Sequence, residues 1–310
     1  MTTAYITHPV FKQHDMGIGH PECPARLAAI EDQLIEEGLF DLLQHYEPPE
    51  ASRAQLERVH CKSYIDDLEQ LAPGKGMVAL DPDTWMNPYT LEAARRAAGA
   101  TIMAIDLVMR GEVNNAFCAV RPPGHHAEQH SAMGFCFFNN IACAAMHALD
   151  QYPLSRIAII DFDVHHGNGT EDILRNEDRA LFCSSFQHPF YPDRPFAQDN
   201  PHIICLPLPG GTRGMDFRES VSGMWLPALE RFAPELILVS AGFDAHRDDP
   251  LADMLLTERD FAWITYEIME LAKRFAEGRV ISTLEGGYNL NALGHSAATH
   301  IKILAGLDGG

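Results

Sequence analysis

Short apolar runs rich in β-branched residues alternate with longer amphipathic stretches along this 310-residue chain. Such alternation is typical of βαβ units, in which a helix follows each strand and returns the chain across a parallel sheet. Strands are predicted at residues 116–120, 156–162, 180–185, 202–208, 235–241 and 279–284. Helices are predicted at residues 24–39, 91–109, 139–149, 217–232, 258–276 and 292–307, with Asp216 and Thr257 as capping residues. The pattern predicts a doubly wound α/β fold.

No linker, repeat or low-complexity tract divides the chain, so one domain spanning residues 1–310 is expected. The seven cysteines are scattered through apolar segments without a C-x-x-C pair, which predicts buried, reduced thiols. The amino-terminal segment has no basic region followed by an apolar stretch, and no run of eighteen apolar residues occurs. These features favour a cytoplasmic protein.

The charge balance is strongly acidic, with 23 Lys and Arg against 43 Asp and Glu and a net charge of −20. A field of this sign repels phosphate backbones and anionic lipids. We therefore expect no direct binding of nucleic acid or membrane, and a substrate that carries a cationic amine is favoured.

Polar clusters follow four of the predicted strands. They are Arg121-Pro-Pro-Gly-His-His126, the segment from Asp161 to His166, Asp244, and Glu285-Gly-Gly-Tyr288. In open α/β sheets, ligands bind at the carboxyl ends of the strands. Segments that are distant in sequence are therefore expected to meet in one crevice.

Asp163, His165 and Asp244 are the candidate metal ligands. Residues two apart in an extended segment share a face, so Asp163 and His165 can bind one cation from the same side. Two carboxylates and one imidazole suit Zn²⁺, with the fourth position left to water or substrate, although Fe²⁺, Mn²⁺ and Co²⁺ accept the same ligand types. Each residue alone is more typical of a turn or cap, and their shared location favours the metal site.

His125 and His126 are candidates for proton transfer. One imidazole can accept a proton from an attacking water while the other stays charged or donates to the leaving amine, provided that each is held by a partner. Asp161 is the expected partner of one imidazole and Asn168 the weaker partner of the other. The phenol of Tyr288 can donate a hydrogen bond to an oxyanion.

Taken together, the motifs resemble those of the histone deacetylase family and its bacterial deacetylase-like and acetylpolyamine amidohydrolase relatives. They occur in the family's order from about residue 19 to residue 290. The segments are Gly19-His-Pro-Glu22 with Arg26, Arg121-Pro-Pro-Gly-His-His126, Gly134-Phe-Cys-Phe-Phe-Asn-Asn140, Asp161-Phe-Asp-Val-His-His-Gly-Asn-Gly-Thr170, Ser240-Ala-Gly-Phe-Asp-Ala-His-Arg247 with Asp249-Pro250, and Leu284-Glu-Gly-Gly-Tyr-Asn-Leu290.

The resemblance implies an arginase/deacetylase-like α/β fold, with a central, mostly parallel sheet of about eight strands flanked by helices, and metal-dependent hydrolysis of an acetyl-amide. It implies the following roles: Zn²⁺ ligands Asp163, His165 and Asp244; acid/base residues His125 and His126; their buried partner Asp161; and the carbonyl-polarising Tyr288. Asn168 and the wording of the segment from Ser240 to Arg247 resemble the class II branch.

Further positions are carried over from the family's motifs. For substrate binding they are Gly134, Phe135, Phe190, Tyr191, Leu251 and Gly287. For a monovalent cation, K⁺ or Na⁺, near the zinc they are Asp161, Asp163, His165, Ser184 and Phe186. Asp83 is a candidate for the loop aspartate that grips substrate.

Three positions depart from the family's usual pattern. Asp193-Arg-Pro195 stands where a Gly-Thr-Gly turn is usual, and Phe186 stands where His is usual. Leu251 follows Asp249-Pro250 in place of the Glu that marks some polyamine-selective relatives. The first two departures concern the rim of the tunnel through which the family binds acyl-lysine. The third weakens the assignment of a polyamine as the substrate.

The sequence thus predicts a zinc-dependent amidohydrolase that removes acetyl or similar acyl groups from lysine-like amines, on a peptide or a small molecule. Acetylpolyamines or another small acetylated amine are the alternative substrates, and a homo-oligomer is possible. A binuclear-manganese ureohydrolase is less favoured, because Gly167 stands where those enzymes carry Asp and the Asp-x-Asp element expected near Asp244 is absent. A non-enzymatic metal-binding module is also weak, since no catalytic group is missing.

Overall fold

An eight-stranded parallel sheet forms the centre of the computed structural model, which describes residues 1–307. The strands are β1 (Thr3–Ile6), β2 (Gln44–Tyr46), β5 (Asn115–Cys118), β6 (Ile157–Asp161), β7 (Ala180–Gln187), β8 (Ile203–Leu208), β9 (Leu236–Ala241) and β10 (Val280–Leu284). Their order in the sheet is β2-β1-β5-β10-β9-β6-β7-β8, and every neighbouring pair is parallel. A separate antiparallel hairpin consists of β3 (Val78–Ala79) and β4 (Trp85–Met86).

Helices connect and flank the strands. They are α1 (Ala25–Glu36), α2 (Arg53–Leu56), α3 (Lys62–Leu71), α4 (Thr90–Met109), α5 (Asn140–Gln151), α6 (Asn168–Leu174), α7 (Gly214–Phe232), α8 (Glu258–Phe275) and α9 (Leu290–Leu304). Short 3-10 turns lie at Pro9–Lys12 and Phe40–Leu42. The predicted class, an α/β domain with a central eight-stranded sheet, is confirmed.

Each of the six strands and six helices predicted from periodicity is present, with shifts of a few residues at their ends. The central strands β6, β9 and β10 are buried along their whole length, which explains the mostly apolar sequences of β6 and β9. Helix α7 begins earlier than predicted, at Gly214, because Asp216 is not its cap. The Asp216 carboxylate instead reaches back, and its Oδ2 accepts from the Arg213 backbone N–H at 3.3 Å.

Seven strands and helices escaped prediction. Strands β1 and β2 have four and three residues, too few to show a period. The β3–β4 hairpin and the short helices α2 and α6 are similarly brief, and the ten-residue α3 also went unpredicted. All seven cysteines are free, as predicted, but Cys23, Cys61 and Cys205 are partly exposed rather than buried.

The order of the central strands determines where the polar motifs lie. Strands β5, β10, β9 and β6 are consecutive neighbours, and each carries one motif at its carboxyl end. Because the strands are parallel, these four ends lie at one edge of the sheet. The fold therefore brings together segments separated by more than 160 residues, such as Gly124 and Glu285, which are 161 positions apart.

None of the helices within residues 1–307 is both long enough and apolar enough to span a bilayer.

Candidate active site

Three candidate ligand atoms converge beyond the ends of β6 and β9. One atom each from Asp163, His165 and Asp244 lies within 4.8 Å of the other two. The His165 Nδ1 atom is 3.1 Å from Asp163 Oδ1 and 3.2 Å from Asp244 Oδ2. The predicted ligand set is therefore brought together, and its two carboxylates and one imidazole are donors that suit Zn²⁺.

Backbone groups hold the two carboxylates in place. Gly286 N–H donates to Asp163 Oδ2 at 2.8 Å, and Val164 N–H donates to Asp244 Oδ1 at 2.9 Å. A Cβ atom at position 286 would lie 1.9 Å from Asp244 Oδ2, and one at Gly242 would lie 2.1 Å from Asp163 Oδ2. Glycine is required at both positions because the main chain approaches the carboxylates so closely.

The pKa values of these side chains indicate that a positive charge is favoured among them. Burial and the neighbouring carboxylate of Asp163 raise the pKa of Asp244 to about 7. Burial opposes protonation of His165, but hydrogen bonds to Asp163 and Asp244 outweigh it and raise its pKa to about 10. A positive charge is thus favoured between the two carboxylates. A bound divalent ion would supply this charge and, unlike a proton, would contact all three side chains at once.

The paired imidazoles lie beside this cluster with their rings 4.1 Å apart. His125 Nδ1 is 3.0 Å from Asp161 Oδ2, and His126 Nδ1 is 2.7 Å from Asn168 Oδ1. The turn that carries them is anchored by Glu285, whose Oε2 accepts from the backbone N–H groups of Gly124 and His125.

The two imidazoles differ in their preferred charge. For His125, burial opposes protonation, but the carboxylates of Asp163 and Asp161 raise its pKa well above the usual value. For His126, burial and the neighbouring charge of His125 lower the pKa well below the usual value. The surroundings therefore favour a charged ring at His125 and a neutral ring at His126.

Tyr288 lies on the turn after β10, and its backbone N–H donates to Asp249 Oδ2 at 2.7 Å. The Arg26 guanidinium lies 5.0 Å from the centre of the Tyr288 ring. The same guanidinium donates to the carbonyl of Gly287 at 2.7 Å, so it also fixes the turn. Burial, together with the carboxylate of Asp244, raises the pKa of the Tyr288 phenol, which keeps it a hydrogen-bond donor.

A cavity of about 220 Å³ opens onto these groups. It is lined by Asp83, His126, Gly134, Phe135, His165, Phe190, Tyr191, Leu251 and Tyr288. Five of the six predicted substrate positions and the candidate Asp83 therefore border one space. The sixth predicted position, Gly287, is not among the described residues that line the cavity.

Aromatic rings form the cavity walls. The Phe190 ring stacks on His165 at 5.6 Å, and the Tyr191 ring meets His126 edge-on at 5.3 Å. Phe135 meets Tyr288 edge-on at 5.9 Å. Flat walls of this kind suit a narrow, aliphatic chain that leads to a polar end group.

Two of the positions predicted for a monovalent cation, Asp163 and His165, also belong to the metal cluster. Ser184 is the register partner of Asp161 across β6 and β7, and its hydroxyl is buried without a hydrogen-bond partner among the described residues. Phe186 packs its ring 4.6 Å from the ring of His166.

Three buried or half-buried carboxylates support the site without having been assigned a role from sequence. Glu22 pairs with Arg121 at 2.5 Å and with Arg26 at 3.1 Å. Glu285 anchors the histidine turn, and Glu128 Oε1 accepts from Asn168 Nδ2 at 2.8 Å. Glu22 and Glu285 lie inside the motifs that carry the resemblance. The sequence signal that could have identified Glu128 is its position two residues after His126.

Topology and chemistry together define a class, that of α/β proteins with donors for a divalent cation at the carboxyl edge of a parallel sheet. Comparison with family models narrows this class, because the histone deacetylase domain model matches residues 20–304. The chain therefore belongs to the histone deacetylase family, and the resemblance found in its motifs is confirmed. Membership supports deacetylase or amidohydrolase activity.

Individual relatives agree with this placement. The chain is 39% identical over 295 residues to the histone deacetylase-like amidohydrolase of Pseudomonas aeruginosa, covering 92% of this chain and 77% of that one. It is 35% identical over 317 residues to a probable deacetylase of Archaeoglobus fulgidus, covering 99% and 88%. The crystal structure of the HDA15 HD domain matches with a TM-score of 0.92 and 32% identity, covering 99% of this chain and 90% of that one.

Proposed function

We propose that the chain is a zinc-dependent amidohydrolase that removes acetyl or a similar acyl group from a lysine-like amine. The observation that carries this proposal is a single cavity that His126, His165 and Tyr288 all line, with Asp163 and Asp244 directly behind His165. A proton acceptor, a cation site and an oxyanion donor thus face one space.

Asp163, His165 and Asp244 would hold the zinc ion. When bound, Zn²⁺ supplies Lewis acidity that polarises the substrate carbonyl and lowers the pKa of the attacking water. Their fit to the ion rests on the converging ligand atoms and on the positive charge that the two carboxylates favour between them.

The protein's own groups manage protons and charge. His126, neutral beside the uncharged Asn168, accepts a proton from the attacking water at its Nε2 atom and returns it to the departing amine. His125 stays charged beside Asp161 and stabilises negative charge that develops on the carbonyl oxygen. The Tyr288 hydroxyl donates a hydrogen bond to the same oxygen.

The cavity favours an acylated amine on a flexible aliphatic chain. Phe135, Phe190 and Tyr191 supply apolar walls, and Asp83 places a carboxyl group at the lining. Leu251 gives this lining an apolar side chain where a Glu would attract a second ammonium group. We therefore place an acyl-lysine, in a peptide or a small molecule, ahead of an acetylpolyamine.

Release of acetate from an acetyl-lysine peptide tests the proposal when the native chain is compared with Tyr288→Phe. Loss of the phenolic donor lowers kcat by about 10² to 10³-fold, while zinc content stays unchanged. Tyr89→Phe, at an exposed tyrosine, is the matched control and keeps the native rate. Equal rates for the native chain and Tyr288→Phe would contradict the role of the phenol, and a zinc-loaded native chain that released no acetate would contradict the proposal.

Assays of alternative substrates separate the remaining functions. Acetylpolyamines assayed beside acyl-lysines of different chain length rank the substrate classes. Urea release from arginine or agmatine would support a ureohydrolase instead. Against that reading, a Cβ atom at Gly167 would lie 2.2 Å from Asp161 Oδ2, which leaves no room for a ligand side chain at this position.

A further inference from the structure

A second group of side chains that could bind a metal lies outside the lining of the cavity. Within residues 1–307, His166, Glu171 and Cys205 form a three-residue cluster whose ligand atoms lie within 4.8 Å of one another. His166 Nε2 is 3.0 Å from Glu171 Oε2, and Cys205 Sγ is 3.5 Å from Glu171 Oε2 and 3.8 Å from His166 Nε2. None of these atoms belongs to the candidate active site.

The size of this triangle matches the ligand shell of a tetrahedral ion. Zinc binds nitrogen, oxygen and sulfur at about 2.0 to 2.3 Å, so neighbouring ligands in a tetrahedron lie about 3.3 to 3.6 Å apart. The observed separations bracket that range. Small rotations of the side chains would therefore bring all three atoms into bonding distance of one ion.

The three side chains come from different elements that meet at one end of the sheet. His166 lies in the turn after β6, Glu171 lies in α6, and Cys205 lies in the edge strand β8. Phe186 and Phe196 pack their rings 4.6 and 6.1 Å from the ring of His166 and form an apolar wall around it. An ion bound here would join the edge strand to the loop that carries the active-site ligands.

The second oxygen of Glu171 is oriented by groups outside the triangle. Arg175 Nη2 donates to Glu171 Oε1 at 2.8 Å, and Ala197 N–H is shared between Oε1 at 3.1 Å and Oε2 at 3.2 Å. These bonds hold the carboxylate with Oε2 next to His166 Nε2 and Cys205 Sγ. Arg175 and Ala197, which contact Glu171, also line an open surface groove beside the cluster.

We propose that His166, Glu171 and Cys205 form a second metal site, separate from the catalytic one, that binds a zinc-like transition-metal ion through a thiolate. A donor set of imidazole, carboxylate and thiolate selects Zn²⁺, Co²⁺ or similar ions over Mg²⁺ or Ca²⁺. Three protein ligands leave the fourth position to water. The site would stabilise the packing of α6 against β8.

Cobalt titration tests this proposal, because sulfur ligation to Co²⁺ produces a near-ultraviolet charge-transfer band that carboxylate and imidazole ligands do not. The metal-free, reduced native chain is titrated with Co²⁺ and is expected to bind about two equivalents and to develop the sulfur band. Cys205→Ser is expected to bind about one equivalent without that band. Cys61→Ser, at another partly exposed cysteine, is the control and keeps both signals.

Two further readouts keep the outcome unambiguous. Glu171→Gln retains the thiol but is expected to weaken cobalt binding at this site by about tenfold or more. The visible bands of the catalytic cobalt report whether each variant is folded. A native chain that binds cobalt without the sulfur band, or a band that persists in Cys205→Ser, would overturn the second site and leave the proposed hydrolase activity untouched.

Discussion

At the scale of single residues, the two imidazoles differ in their hydrogen-bond partners, which adds to the effects of burial and of neighbouring charges on their pKa values. His125 faces the carboxylate of Asp161, which favours the charged ring, whereas His126 faces the amide oxygen of Asn168, which adds no charge. Two side chains that are adjacent in sequence thus receive different proton affinities. The consequence is a division of labour within the proposed mechanism.

Glu128 extends this argument by one contact. Its Oε1 accepts from Asn168 Nδ2 at 2.8 Å, so the amide oxygen of Asn168 is turned towards His126 Nδ1. His126 must then carry its proton on Nδ1, which leaves Nε2 free to accept one from water. Glu128 is therefore a positioning residue for His126.

Glu128→Gln is expected to lower kcat by about 10 to 100-fold with little change in KM, since the new amide no longer fixes the orientation of Asn168. Steady-state kinetics of the zinc-loaded variant measure the effect, and zinc content reports an intact metal site. Arg194→Gln serves as the control, because it removes the ion pair to Glu128 but keeps the carboxylate. Native kcat in Glu128→Gln would contradict the positioning role.

The role of a residue could be predicted from the sequence where the residues that define that role are close together in the chain. Asp163 and His165 alternate directly after an apolar run, so their shared face could be read from the sequence. Glu22 and Arg121 pair across 99 positions, and no local pattern announces that contact. Glu128 was missed because its hydrogen bond to Asn168 forms when the chain folds and leaves no pattern in the local sequence.

At the scale of elements, the carboxyl ends of four parallel strands carry the chemistry, and α5 fixes the other side of the histidine turn. The Asn139 side chain caps α5 and also donates to the carbonyl of Ala127 at 3.2 Å. His60 joins these segments, because its Nε2 accepts from Asn139 N–H and its Nδ1 donates to the carbonyl of Glu128, both at 2.9 Å. This tautomer requires a neutral ring.

His60 makes stability depend on pH in a defined direction. Burial lowers its pKa to about 4, whereas an unfolded histidine titrates near about 6.5. Between these values the unfolded chain binds the proton and the folded chain does not, so the contribution is fully present above about pH 6.5 and is lost as the pH falls towards about 4. The difference is on the order of 3 kcal/mol.

Urea denaturation at pH 7 and near pH 4.5 measures this contribution. We expect the native chain to lose free energy of unfolding on acidification, and His60→Gln to be less stable at pH 7 but to show a shallower dependence on pH. His45→Gln, at an exposed histidine on β2, is the control for loss of an imidazole. Equal slopes for the native chain and His60→Gln would contradict the assignment.

Periodicity predicted most of the long elements and missed most of the short ones, with the ten-residue α3 and the four-residue β5 as exceptions. The buried strands β6 and β9 each begin with four consecutive apolar residues, which marks them clearly. Strand β2 has three residues, none of them buried, so it carries no hydrophobic signal. Its place in the sheet comes from pairing with β1, a tertiary contact.

At the scale of the whole molecule, the fold concentrates negative charge at one sheet edge. Asp161, Asp163, Asp244 and Glu285 are all buried there, within a chain of net charge −20. Buried carboxylates at close range repel one another unless a cation or hydrogen bonds offset the repulsion. The alternation of strands and helices in the sequence predicted the class of fold. The number of strands could not be predicted from that alternation, because it depends on pairings between strands that are distant in sequence. The resemblance to the family's motifs predicted it instead.

Removal of metal is expected to destabilise the chain. A zinc concentration about 100-fold above the dissociation constant stabilises the folded state by about 2.7 kcal/mol, and chelation reverses this gain. Thermal unfolding with and without zinc measures the shift. Asp244→Asn is expected to lose most of it, and a zinc-independent midpoint in the native chain would contradict the metal site.

Anomalous diffraction at the zinc absorption edge, from crystals of the zinc-loaded chain, tests the central claim most directly. We predict a peak at about 2.0 to 2.3 Å from ligand atoms of Asp163, His165 and Asp244, facing the cavity that Tyr288 lines. Crystals that bind zinc elsewhere, with these three side chains free of metal, would contradict the account.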